Sequence, residues 1–219
     1  MKNHIMCVVL TIVFAGGAYY LGMRNSSNNS NFGMSNSSNN ISEKRCALRT
    51  NMRKLWSDHV WWTRVYLIDA TSQLPEIKET TNRLLANQAD IGSAVASYYG
   101  KAAGDKLTAL LKDHILISAD VVAAAKANDK EKLKEADARW HENADEIATF
   151  LSSANPNWPL KDMQKMMYDH LKLTTDEAMA RLKKDWTLDI KTFEKVFDEI
   201  MMMADGLTNG IVKQFPDKF

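Results

Sequence analysis

Residues 107–125 read LTALLKDHILISADVVAAA. Leu107, Leu111, His114, Ser118, Val121 and Ala125 recur in steps of three and four, so they share one face of a helix. No Gly or Pro interrupts the run, and the face is apolar except at His114 and Ser118. A helix whose buried stripe carries an imidazole and a hydroxyl is the unit from which the rest of the chain can be read.

That unit recurs. Asp113-His114 with Ser118 is matched by Asp169-His170 with Thr174, and by Asp58-His59 with Thr63, so D-H-x-x-x-[ST] occurs three times at a spacing of 55–56 residues. Between the copies lies a second repeat. Arg83, Asn87 and Ile91 of RLLANQADI return as Arg139, Asn143 and Ile147 of RWHENADEI, 56 residues on without a gap. A fixed period of this length marks a repeated helical hairpin. Breaks near 72–75, 98–104, 128–129, 155–159 and 184–187 divide the chain into six helical segments, at about 44–71, 75–97, 103–127, 130–153, 160–184 and 188–214. Short connections make neighbouring helices antiparallel, which predicts an all-α, six-helix antiparallel bundle over residues 43–219.

Composition agrees and removes several classes of function. Nine Gly and four Pro in 219 residues are too few for a turn-rich β-sandwich, and 45% hydrophobic residues are too many for a disordered chain. With 28 Lys+Arg against 27 Asp+Glu there is no bulk positive charge for nucleic acid. The two cysteines, Cys7 and Cys46, lie before and at the very start of the folded part and supply no disulfide framework or zinc–thiolate site. No P-loop, dinucleotide-binding or nucleophile-elbow motif occurs, so the reading is of a protein more suited to binding than to catalysis, without an expected cofactor.

Residues 5–23 (IMCVVLTIVFAGGAYYLGM) form a 19-residue run without a charge. A helix of that length just crosses a hydrocarbon layer of about 30 Å. Either it is a retained signal-anchor, with Tyr19-Tyr20 at the interface, or a signal peptide cut near Ala18 after small residues. The first places a membrane-anchored domain outside the cytoplasm; the second makes the domain secreted or periplasmic. Residues 25–42 are dominated by Asn and Ser and read as a flexible linker. Asn25, Asn28, Asn36 and Asn40 each begin an N-x-Ser sequon, relevant only in a glycosylating host.

Counting residues to each turn brings His59, His114, His170, Asn87 and Asn143 to one level at mid-bundle, all on buried stripes. In a structural role each imidazole bonds to Thr63, Ser118, Thr174 or an Asn, and the polar layer fixes helix register. In a functional role His59, His114 and His170, with Glu177 and Asp205 as the nominated carboxylates, hold a transition metal or a small ligand. His141 falls off the stripe and reads as exposed. Trp61-Trp62 read as packing residues and the methionines as core filler.

The segments DHVWWTR (58–64), RLLANQADI (83–91), YYGKAAGDKLTALLKDHI (98–115), RWHENADEIATFLSSANPNW (139–158) and MMADGLTNGIVKQFPDKF (202–219) together resemble a bacterial family of uncharacterised all-helical proteins. Members often carry the label acetylglutamate kinase. Such a kinase requires an α/β sheet and Gly-rich phosphate loops, which this sequence does not contain, and the resemblance implies no catalytic residues. The sequence therefore leads to two expectations: a membrane-tethered or exported, non-enzymatic interaction or envelope domain, and, as the alternative, a metal- or small-ligand-binding bundle.

Overall fold

The computed structural model describes the backbone of residues 32–219 and the side chains of residues 43–219. Six α-helices follow one another: α1 (Phe32–Ser72), α2 (Ile77–Tyr99), α3 (Lys101–Ala127), α4 (Lys130–Ala154), α5 (Leu160–Leu182) and α6 (Trp186–Gln214), closed by the short 3₁₀ turn Pro216–Lys218. There is no strand among the described residues. Each break has a local cause. Asp129 and Asp185 cap α4 and α6 by accepting from the Lys132 and Leu188 amides at 3.1 and 3.0 Å. Gln73, Asn128 and Lys184 take left-handed backbone angles just beyond helix ends, and Gly100, at φ 85°, is the single residue between α2 and α3.

The first helix starts earlier than the sequence pattern implies. Its backbone is helical from Phe32, so the second half of the Asn/Ser tract expected to be a spacer continues α1. Adding residues to an established helix is easier than starting one, which lets a tract of weak formers follow the packed part. The apolar run 5–23 lies outside the described residues; within them, no helix is long and apolar enough to cross a membrane.

Helices adjacent in sequence pack side by side, and α6 returns against α1, so the six close into a ring of three hairpins. The odd-numbered helices also meet one another across the interior. This is the 55–56-residue period in space. Leu67, Val122 and Ala178, one from each hairpin, form a small apolar cluster of their own. Trp56, Leu111 and Met167 stand in corresponding places within the large core that fills the other end. Between these two apolar regions run the three copies of His and Ser/Thr.

The α2–α3 crossing is set by two small residues. A Cβ added at Gly104 would stand 2.5 Å from the Gly92 carbonyl oxygen, and one added at Gly92 would stand 2.6 Å from that of Gly104. The obstacle on each side is backbone, which cannot rotate away. Gly104→Ala is therefore expected to cost about 1–3 kcal/mol by forcing the helices apart, although alanine is the better helix former. Urea unfolding checks this; a stabilised variant would show that the two backbones are not in contact.

The same end is tied by polar groups. Tyr99 donates to Gln214 at 2.7 Å and accepts from Asn155 at 2.8 Å, while the Gln214 amide reaches the Ala154 carbonyl at 3.1 Å. Asn155, fully buried, also accepts from the Asn157 backbone amide at 2.8 Å, which shapes the N-P-N-W turn. Burial pushes the Tyr99 phenol up to about 12, against the bond from Asn155. Phe219 stacks on Tyr98 with ring centroids 5.8 Å apart, fastening the C-terminus over this network.

Candidate functional site

Three imidazoles meet in the interior. His170 lies between the other two, its ring centroid 5.7 Å from that of His59 and 6.3 Å from that of His114. All three are buried. Each is anchored through Nδ1 by a residue 29 positions further along, on the second helix of its own hairpin. Gln88 Nε2 faces His59 Nδ1 at 3.3 Å, His114 Nδ1 meets Asn143 Oδ1 at 2.8 Å, and His170 Nδ1 meets Glu199 Oε2 at 3.0 Å. Trp56 stands edge-on to His59 at 5.6 Å, and Trp140 lies over His114 at 5.3 Å.

The partners decide which nitrogen carries the proton. Asn143 donates its amide to the Leu110 carbonyl at 3.1 Å, which turns its oxygen to the ring; His114 Nδ1–H is then the donor and Nε2 keeps its lone pair. Facing the Glu199 carboxyl oxygen, His170 Nδ1 donates likewise. His59 has the opposite arrangement, since an amide NH₂ points at its Nδ1 and leaves the proton for Nε2. Burial holds His59 well below its ordinary value of 6.5, with the nearby His170 and His114 adding to the effect. Burial, and then His170, lowers His114 to about 3. Both rings are accordingly neutral near pH 7.

Asn87 belongs to the layer by register, but its task differs. Its amide bonds the Leu55 carbonyl at 3.0 Å, one turn before His59, as the Asn143 amide bonds Leu110 one turn before His114. Asn143 both ties the backbone and holds the ring; in the first hairpin Asn87 ties and Gln88 holds. The expected pairing of the imidazoles with Ser or Thr is not the one observed. Thr63 and Ser118 turn back on their own helix, to the His59 and Ile115 carbonyls, each at 2.8 Å, and Thr174 Oγ1 has no hydrogen-bond partner. A hydroxyl on a helix reaches the preceding turn without crossing to another element.

Neither nominated carboxylate joins the imidazoles. Asp205 lies on the α1–α6 surface, where Arg53 grips it with two hydrogen bonds and holds its carboxyl below the usual range. Glu177 is fully buried, but two turns beyond His170 it faces Arg64 at 2.5 Å. Arg64 also spans both oxygens of Asp189, at 3.0 and 3.1 Å, and Arg181 meets Asp189 at 2.8 Å. The carboxylate beside the imidazoles is Glu199 of α6, which was not among the nominated ones. Its signal was available: a further step of 56 from Asn87 and Asn143 gives residue 199. Among the described residues, no group of three or more His, Cys, Asp or Glu side chains is arranged to hold a metal ion.

The remaining aromatic residues divide unexpectedly. His141 lies outside the layer, its Nδ1 near the Asp137 carbonyl at 2.9 Å. Trp61 is 51% exposed and rests on Phe193 at 5.0 Å, whereas Trp62 is partly buried beneath the Arg83 guanidinium. Trp186 and Ile190 continue the exposed apolar strip along α6. No family model, curated protein or solved structure matches this chain.

Proposed function

We propose that this chain is a membrane-tethered, exported helical domain that acts by contact and not by catalysis, with the bundle as its rigid scaffold. The observation that carries the reading is the strip where α6 runs beside α1. Trp61, Trp186 and Ile190 are each about half exposed, Trp61 rests on the partly buried Phe193, and Phe197 follows one turn further along α6, 6.4 Å from Phe193. Apolar side chains gathered on one seam, not scattered singly, mark a contact surface for another protein. A photo-reactive phenylalanine analogue at position 61 or 190 in the full chain should give one dominant protein adduct in intact cells. The same analogue at 116, an exposed leucine on α3, should not. Equal labelling from all three positions, or none, overturns the proposed surface.

The tether is tested separately. Residues 5–23 would hold the full chain in the membrane fraction through alkaline carbonate washing, and deletion of 1–24 would release it. Cleavage near residue 18 instead would leave a mature chain in the soluble exported fraction, and a full chain that stays inside the cell overturns both routes.

A second reading, a metal or small ligand at His59, His114 and His170, is favoured by His114 and His170, whose Nδ1–H groups are held by Asn143 and Glu199 as the second nitrogen of a ligating imidazole is held; His59 joins them only after moving its proton from Nε2 to Nδ1. Elemental analysis of natively purified protein at about pH 6–8, where His59 and His114 are neutral, decides it. A stoichiometric transition metal that disappears in the His59/His114/His170 triple alanine variant carries the reading. No metal at any of these pH values removes it.

A further inference from the structure

One turn above the imidazoles the interior is not filled. A cavity of about 60 Å³ lies between the three hairpins, with Thr63, Ser118 and Thr174, one hydroxyl from each odd-numbered helix, in its wall. The apolar cluster of Leu67, Val122 and Ala178 closes the far side. Two residues of this wall carry a buried polar atom without a partner: Trp140, 2% exposed, at Nε1, and Thr174, 7% exposed, at Oγ1. The other two hydroxyls of the repeat are already bonded to carbonyls, so the third is distinct in being left open.

We propose that this cavity is a binding site for a small neutral molecule with one oxygen on a short apolar body, of the class of short-chain alcohols, ketones and amides. The oxygen accepts from the Trp140 indole N–H and meets the Thr174 hydroxyl, which can donate or accept. The apolar part lies against Leu67, Val122 and Ala178. The volume sets the size, since it is the space open to the centre of a water-sized sphere, of which one water needs about 10–15 Å³, and the site therefore takes roughly four to six non-hydrogen atoms. Neutrality follows from the wall, which supplies no ionised side chain to compensate a buried charge. Tyr66, Leu133 and Met179 are only partly buried where they border the cavity, so side-chain rotation opens a path without unfolding. The site stands apart from the α1–α6 strip and does not depend on it.

The test uses the full chain in detergent, labelled with ¹⁵N at the indoles and titrated with 2-propanol. The Trp140 indole resonance should shift and saturate, with Kd on the order of 1–10 mM for a ligand of four non-hydrogen atoms. Trp158 is the internal control. Its Nε1 is also buried and unpartnered, but it borders a separate cavity of about 20 Å³, too small for the probe. Thr174→Val, of matching shape, should weaken binding at least about fivefold while leaving the other indole resonances in place. Ala178→Leu, which fills the apolar end, should abolish binding with the hydroxyl intact. A shift of Trp140 that stays linear in 2-propanol, or that matches Trp158, overturns the proposal and leaves a cavity that holds only water. Unchanged affinity in Thr174→Val overturns it equally.

Discussion

Asp189→Ala is expected to cost about 3–5 kcal/mol in urea unfolding near pH 7, whereas Glu177→Gln, in the same cluster, is expected to cost less than about 1 kcal/mol. Both carboxyls are almost wholly buried, at 3% and 2% side-chain exposure. Their chemistry differs. Asp189 takes two bonds from Arg64 and one from Arg181, so its removal leaves two largely buried guanidinium groups with a single carboxyl between them. Rings lie over both guanidiniums, Phe193 at 4.5 Å from Arg64 and Trp186 at 5.6 Å from Arg181, but a quadrupole does not replace a bidentate carboxylate. Glu177 is different because burial pushes its carboxyl up to about 7, outweighing the attraction of Arg64, while Asp189 repels its charge further. Near pH 7 it is already protonated about half the time, and glutamine keeps an oxygen for Arg64. If the two variants cost the same, burial does not raise the Glu177 carboxyl and this account of the cluster fails.

The cluster also shows how far the sequence could be read. Glu177 sits on the buried stripe of α5, three residues after Thr174, and stripe position is visible in the sequence. Its partner was not. Arg64 is 113 residues away, and nothing in the spacing of Arg64, Arg181 and Asp189 marks them as one group until α6 has closed against α1. The architecture was legible because it rests on local features: helical periodicity, capping Asp129 and Asp185, and a repeat whose copies differ in length by one residue. The imidazole level could be found by counting to the turns because equal hairpins have equal heights. Partner identity was less accessible. The wall opposite His170 follows from continuing the 56-residue step to Glu199, but that step replaces an amide by an acid, and a search for identical residues stops before it. The distinct role of Thr174 depends on rotamers and on a cavity a few ångströms wide, and no sequence pattern encodes either. Trp61, read as a packing residue from its place in DHVWWTR, shows the same limit. Its neighbour Trp62 turns inward under Arg83, and only the position of α6 decides which of the two remains at the surface.

In the imidazole layer, His170→Ala is expected to cost about 3–5 kcal/mol, more than the roughly 1–3 kcal/mol of His114→Ala. Both variants leave a cavity. His114→Ala strands a neutral amide oxygen, but His170→Ala strands the buried Glu199 carboxyl. His170→Ala with Glu199→Gln should recover part of the loss, because an amide replaces the stranded carboxyl, and His141→Ala should be nearly silent. The response to acid separates the remaining contributions. His59 and His114 have folded values below 6.5, so the unfolded chain binds their protons more readily. Their stabilisation is complete above about pH 6.5 and is lost as pH falls toward the folded values. Between pH 7 and 5 His114 contributes a loss of about 2 kcal/mol, and His59 acts in the same direction. Glu177 opposes them: its folded value is raised from 4.5 to about 7, so its contribution is present below about pH 4.5 and fades as pH rises through 7. Acidification over the same interval returns about 2 kcal/mol through it. From pH 7 to 5 the bundle should therefore weaken by less than the imidazoles alone would cause, and Glu177→Gln should steepen the decline by removing the opposing group. His114→Ala should flatten it. A Glu177→Gln variant that declines no faster than the parent would show that burial does not raise this carboxyl and that the imidazoles act unopposed.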